Sequence, residues 1–258
     1  MDWLKKLLGQ SKIQTKAVQG IETIGTENSK SDNVISIDDP VFEASFSSRD
    51  KYWNKIGKID EDVIAYLVSP QFQGAPPWPT TRQSFKIIRT DDTVIIASDG
   101  LSDPFVDTDM KSNGLECEVF IETSELKGLG FNEIKNSWQF SAIENWARNV
   151  ADYGGINHQV NQYGVLSVEL PLDSPPDDFL NANGNVGFLV NLKTDVRDYD
   201  ITDSPLSPIK IISLTAIRPD ELKFVMDGGQ AARDNLAEKL HKSGYSHTSN
   251  SNRNSVLD

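Results

Sequence analysis

The residues best suited to chemistry crowd into one stretch of this chain. Asp99, Asp103, Asp107 and Asp109 recur along the segment that follows the β-branched run Val94-Ile95-Ile96, and Glu116 and Glu118 lie just beyond it. Clustered carboxylates on a loop hold hard cations or dock basic surfaces. As a calcium loop the spacing fails, because Pro104 and Phe105 occupy the middle, where an EF-hand needs alternating ligands and a glycine. No metal and no cofactor is expected from it.

Nucleophilic chemistry lacks its partners. Cys117, the single cysteine, shares the side of Leu115, Val119 and Ile121 in an alternating run, which marks a buried thiol on a strand. No histidine lies near it in sequence to stabilise a thiolate. His158 follows Gly154-Gly155 among polar neighbours, and His241 and His247 fall toward the C-terminal end. Serine elbow, phosphate loop, zinc pair and dinucleotide fingerprint are all missing from the sequence.

A non-enzymatic binding surface explains the pattern more economically. Asp99, Asp103, Asp107 and Asp109, together with a wet face of Glu116 and Glu118, are expected to form an acidic patch, with Phe105 and Trp78 as apolar anchors. Two alternatives stay open at this level. One is a metal- or small-molecule-dependent enzyme working through the Asp99 to Asp109 loop; the other is a scaffold that captures an extended peptide along a strand edge.

Composition narrows the partner. Among 258 residues, 38 acidic against 25 basic side chains give a net charge of −13, which disfavours nucleic acid and favours a basic protein. No apolar run approaches the length needed to span a bilayer, and the opening Met1 to Gly9 is too short and mixed for a signal peptide, so a cytoplasmic protein is expected. That opening carries Trp3, Leu4, Leu7 and Leu8 at helical spacing, which suits a short amphipathic start. Residues 9 to 40 read as a polar linker, 41 to 242 as the folded domain, and 243 to 258, rich in serine and asparagine, as a flexible tail.

Within the domain, strands and helices alternate. Acidic Asp60 to Asp62 followed by Val63, Ile64, Tyr66 and Leu67 predicts a helix ending at Pro70, and the three prolines of 76 to 79 impose an extended loop. Residues 85–89 and 93–97 flank Asp91-Asp92 as a hairpin, and the strand carrying Cys117 follows Asn113-Gly114. Trp138, Ala142, Ile143, Trp146 and Val150 recur at helical spacing from Ser137 to Asp152. Further strands are expected at 164–170, 186–192 and 209–217, with a solvent-facing acidic insertion around 195 to 203. Pro219 opens a last helix with Leu222, Phe224, Val225 and Met226 inward, broken at Gly228-Gly229 and resumed through Leu240.

Residues 75 to 240 resemble a bacterial suppressor-of-fused domain. The resemblance is carried by Pro76-Pro77-Trp78-Pro79, by Ser98-Asp99-Gly100-Leu101-Ser102-Asp103-Pro104, by the strand Asn113-Gly114-Leu115-Glu116-Cys117-Glu118-Val119, and by Leu214-Thr215-Ala216-Ile217-Arg218-Pro219-Asp220-Glu221. It implies an α+β fold, with a mixed, largely antiparallel sheet flanked by helices, and no catalytic centre. It also implies a protein that works by binding another. Bacterial relatives look like immunity proteins, so the implied partner is a secreted toxin or effector neutralised by complex formation.

Overall fold

The computed structural model describes residues 35–106 and 108–257. The amphipathic start at residues 1–9 and the linker up to residue 34 lie outside the described residues, as does Asp107.

The chain enters through α1 (Pro40–Asn54), started by Asp39, whose carboxylate accepts from the Val41 N–H at 2.9 Å, with Pro40 in the first turn. Its buried stripe is Ser45, Ser48, Arg49, Tyr52 and Trp53, helical in period but more than half polar. Two short strands, β1 (Lys58–Ile59) and β2 (Ile64–Ala65), then pair with one side of β3 (Ser84–Arg89). The helix expected from Asp60 does not form. Sheet pairing captures Ile59 and Ile64 instead, and the Asp60 carboxylate binds Arg89 Nε at 2.9 Å rather than sitting on a helix end.

The expected hairpin is present as β3 and β4 (Val94–Asp99), and β4 pairs with β5 (Cys117–Thr123). α2 (Phe131–Lys135), α3 (Trp138–Asp152) and α4 (Asn157–Tyr163) follow, then β6 (Leu166–Leu170), β7 (Val186–Val190), β8 (Asp200–Ile201), β9 (Ile209–Ile217) and α5 (Pro219–Lys242). The sheet order is β1-β3-β4-β5-β9-β7-β6, with β2 also on β3 and β8 also on β9. Among the strands described, β5 and β9 pair in parallel and the other strand pairs are antiparallel, which is the mixed, largely antiparallel α+β architecture expected. No helix among the described residues is long and apolar enough to cross a membrane.

Helices cover both faces. Ala142, Ile143, Trp146 and Val150 of α3 pack on Phe85, Ile87, Ile96, Val119, Ile121 and Phe188, the stripe the sequence predicts, and Cys117 is buried among them. The opposite face takes Tyr52 and Trp53 of α1 over Ile95 and Phe120, and Leu222, Val225, Leu236 and Leu240 of α5 over Leu189 and Ile217. α5 bends at Gly229 (φ 61°), in the region where two glycines predict a break. Met226, expected inward, is exposed, because it falls off the buried stripe of that helix.

Three further expectations are corrected. Glu118 of β5 is buried rather than wet, and Glu122 on the same face is buried with it, since β5 is central and its second face is covered by α1 and the C-terminal segment. The 195–203 insertion is not solvent-facing throughout: Tyr199 and Ile201 are buried and β8 pairs with β9. Residues 243–257 are not a free tail. Where β5 and β9 diverge, Ser249 N–H donates to the Glu122 carbonyl at 2.7 Å, Ala216 N–H donates to Ser249 Oγ at 3.0 Å, and Thr215 Oγ1 donates to the His247 carbonyl at 3.0 Å. A serine- and asparagine-rich segment holds on here by satisfying strand groups, and Tyr245, Val256 and Leu257 add apolar contact to the α5 cluster.

Arg253 locks that segment. Its guanidinium and the Glu221 carboxylate, both 0% exposed, form a two-pronged pair with Nη1 to Oε1 at 2.7 Å, and Arg253 Nη2 donates to the Ala216 carbonyl. Arg253→Met leaves Glu221 charged, buried and without its counter-ion, so it is expected to lower unfolding free energy by about 3–5 kcal/mol. Equilibrium urea unfolding checks this. The double variant Glu221→Gln, Arg253→Met is expected to recover part of the loss.

Candidate functional site

The expected acidic loop is built around cations. Asp99 ends β4 and Asp103 follows four residues later, and both are buried, at 2% and 1% exposure. Arg49, reaching over from α1, donates through Nε to Asp99 at 2.9 Å and through Nη2 to Asp103 at 2.6 Å. Arg82 completes the ring from the loop before β3, with Nη1 to Asp99 at 2.7 Å and Nη2 and Nε to the two Asp103 oxygens at 2.7 and 3.1 Å. Lys86 Nζ lies 3.1 Å from Asp99, pairs with Asp50, and sits 4.0 Å from the centre of the Phe46 ring.

Glu118 occupies the centre of the loop that Asp99 and Asp103 bracket. Its Oε1 accepts from the Gly100 and Ser102 N–H groups, each at 3.0 Å, and from Ser102 Oγ at 2.6 Å; Ser98 Oγ donates to Oε2. The Gly100-Leu101-Ser102 turn is thus wrapped on a carboxylate. Gly100 adopts φ 147°, and a Cβ there would meet the Arg82 carbonyl at 2.6 Å and the Trp78 ring at 3.1 Å. Gly114 (φ 49°) is held equally close to the Asp103 and Leu101 carbonyls, so both turns need glycine.

Electrostatics follow from the geometry. Burial penalises the charge on Asp99, but Arg49, Arg82 and Lys86 outweigh it and hold the carboxyl well below the usual carboxylate range. Burial likewise works against the Arg82 charge, and Asp99 and Asp103 reverse the balance and raise its pKa. At Glu118 desolvation wins over Arg49 and pushes the carboxyl upward. The Cys117 thiol is also pushed up, by burial first and by Glu118 second, which makes it a poor nucleophile.

The structure brings together Asp99, Asp103 and Glu118, but as the interior of a charge cluster and not as a surface patch. Their burial corrects the expectation of an exposed acidic face; the cause is α1, whose Arg49 enters the space between them. Phe105 is half-buried, Asp109 is exposed, and Glu116 is half-buried with its carbonyl taken by Asn157 Nδ2 and the Lys210 N–H. A cation entering this loop would have to displace guanidinium donors from both aspartates, so the metal-dependent alternative loses its ligands. Trp78, a proposed anchor, is 5% exposed and packs edge-on against Phe85.

The sequence reading missed Arg49, Arg82 and Lys86. The available signal was Asp39-Pro40 as a helix start, followed by Ser45, Ser48, Arg49 and Tyr52 on one face. A search for apolar periodicity passes over such a stripe.

What the surface does display is a run of large apolar side chains in the segment expected to be a helix. Val63, Leu67, Val68 and Phe72 are all exposed, Phe72 by 72%. The loop that carries them is tied down. Ile64 and Pro70 are buried, the Tyr66 hydroxyl pairs with Glu144, and Arg148 Nη2 reaches both Glu144 at 2.9 Å and Tyr66 at 3.3 Å. Gly74 closes a short 3₁₀ turn at 70–73 in the left-handed region. Glu61 and Asp62, both exposed, precede the apolar run.

A second carboxylate on the same sheet face ties other segments in. Glu122 Oε2 meets His247 Nε2 and Arg197 Nη1, each at 2.8 Å, and Thr93 Oγ1 donates to Oε1 at 2.7 Å. Burial opposes its charge, but His247, Arg197 and Thr93 bring the pKa from 4.5 down to about 2.

The chain's fold is similar to that of a chain in the Sufu-Fu complex crystal structure, with a TM-score of 0.48 and 17% identity over 84% of this chain and 92% of that one. It is also similar to the crystal structure of Drosophila Suppressor of Fused, with a TM-score of 0.35 and 16% identity over 77% of this chain and 42% of that one. No protein-family model and no curated protein matches the sequence.

Because the Glu122 pKa is lowered on folding, its stabilisation is complete above about pH 4.5 and is lost as pH falls toward 2. Asp99 acts in the same direction. Over that window wild type is expected to lose roughly 3 kcal/mol through Glu122 alone, at 1.36 kcal/mol per unit. Urea unfolding repeated along the acid limb checks it: Glu122→Gln should show a visibly shallower slope, and an unchanged slope would remove Glu122 as a source of acid sensitivity.

Proposed function

We propose that this chain is a non-enzymatic protein-binding module that seats a basic partner on the 61–74 loop. The observation that carries the reading is the exposed set Val63, Leu67, Val68 and Phe72 on a loop clamped at Ile64, Tyr66 and Pro70. Exposed apolar side chains grouped on a held backbone favour binding twice over: they offer area, and little ordering entropy is lost when they are covered. Glu61 and Asp62 beside them, within a chain of net charge −13, favour a partner of opposite sign.

The finer reading within this proposal is an immunity protein that neutralises a cognate secreted toxin by occluding its working surface. It is supported by the sequence resemblance and by the acidic charge, which complements a basic effector. The saturated Asp99 and Asp103 weigh against the enzyme alternative at that loop.

The test is co-expression with the product of a neighbouring reading frame that is toxic alone, followed by co-purification. Rescue and a stable complex are expected, with affinity falling as salt rises. Leu67→Asp with Phe72→Asp should leave thermal stability unchanged, since both side chains are exposed, and weaken the complex by about a hundredfold or more. Equal binding by that double variant would remove the loop from the interface.

A further inference from the structure

The two edges of the sheet are not treated alike. β3 is covered by β1 and β2, whereas no strand among the described residues pairs with the outer side of β6. β6 reads Leu166-Ser167-Val168-Glu169-Leu170, with no proline inside it and no lysine pointing off it, the devices that usually blunt a free edge. Its outer side lines a groove of about 380 Å³ shared with Trp146, Tyr153, Tyr163 and Arg233. Tyr153 and Tyr163 are exposed by 63% and 47%.

Which backbone groups face outward follows from the neighbouring residues. The Val165 carbonyl is taken by Arg233 Nε at 3.0 Å and so lies off the β7 ladder. Alternation along a strand then turns the N–H and C=O of Ser167 and Glu169 to the same open side. The side chains of Ser167 and Glu169 lie on the α5 face, with Val165 and Arg233, while Leu166, Val168 and Leu170 lie on the α3 face.

We infer that β6 is the interface of a homodimer, in which the β6 strands of two copies pair antiparallel about a two-fold axis through Val168. This register is self-complementary. Val168 faces Val168 of the second copy, both half-buried in the free chain, and Leu166 comes opposite Leu170, which is already buried in its own core, so no polar group is set against an apolar one on the α3 face. On the α5 face Ser167 faces Glu169 of the second copy, and the two exchange both backbone bonds. No like charges stand opposite. Each Glu169, whose Oε2 accepts from Asn181 Nδ2 in its own chain, brings its second oxygen toward the Arg233 anchored at Val165 of the second copy, and the symmetry repeats the pair. Shifting the register by one residue would place valine against serine or glutamate and lose these matches. An interface built on one five-residue strand pair and the flanking tyrosines is small, so a weak dimer, dissociating at roughly micromolar or higher concentration, is expected.

The test uses the full chain. Sedimentation equilibrium over a wide concentration range should show a reversible monomer–dimer step. Ser167→Pro removes an outward N–H that the β7 ladder does not use and is expected to give a folded monomer. A second variant is independent of whether that one folds. Val168→Cys places two thiols across the axis at a Cα separation of about 4.5 Å, inside the roughly 4.4–6.8 Å that a disulfide accepts. Mild oxidation should then give a covalent dimer, without competition from Cys117, which is 0% exposed. Asp92→Cys, at a position 90% exposed, is the control for random collision. A wild-type chain that stays monomeric at every concentration, a folded Ser167→Pro variant that still dimerises, or Val168→Cys cross-linking no faster than the control would each overturn the inference.

Discussion

An arginine with 1% of its surface in water cannot keep its charge unless the protein replaces the hydration it gave up, and around Arg49 the chain does so with two carboxylates and the Ser102 carbonyl and hydroxyl. The rest of the central architecture is organised to make that replacement possible. β4 must end at Asp99 and the chain must turn at Gly100. It must wrap on Glu118 and bring Asp103 back to the same guanidinium. Arg82 then closes the outer side, leaving a third of its own side chain exposed while every Asp99 and Asp103 oxygen stays bonded. Removing Arg49 would leave Asp99 and Asp103, each buried, with only the partly exposed Arg82 and the buried Lys86 to balance them.

The two faces of the sheet are held by different physics. On the α3 face the contacts are apolar and non-directional, from Phe85 through Ile121 to Phe188. The α1 and α5 face adds three ionic clusters to its apolar contacts, centred on Arg49, on Glu122 and on Arg253, and each fixes a segment with a charged or polar buried side chain. Arg49 fixes α1; Glu122 gathers the 195–203 insertion and the C-terminal segment through Arg197 and His247; Arg253 pins the last residues to the start of α5. Directional pairs specify one placement where apolar burial alone would tolerate several, and they make this face the acid-sensitive one.

This division bears on function. The carboxylates whose sequence pattern most suggests a site are consumed inside the fold, so their negative charge is cancelled locally and does not reach a partner. Exposed apolar groups, with exposed Glu61 and Asp62 beside them, lie on the 61–74 loop, a segment held by α3 through Tyr66. The proposed binding loop is thus a part of the chain that the charge cluster does not use.

Much of the fold is legible from periodicity. The β3–β4 hairpin, the buried Cys117 strand, the α3 stripe and the glycine break in the last helix all repeat apolar residues at the spacing of their element, and burial of that repeat is a local property of the sequence. The sequence by itself also determined that the Asp99 to Asp103 turn is special, through its glycine and its paired acids. Only the tertiary structure decided that these acids are interior, that residues 58–65 pair with β3 rather than coil into a helix, and that 243–257 is bound. In each case the deciding partner is distant along the chain: Arg49 for Asp99, Phe85 for Ile64, Glu221 for Arg253. Hydrogen bonds and ion pairs between remote polar groups leave no period in a sequence, so their existence is settled only when the sheet brings the two ends together.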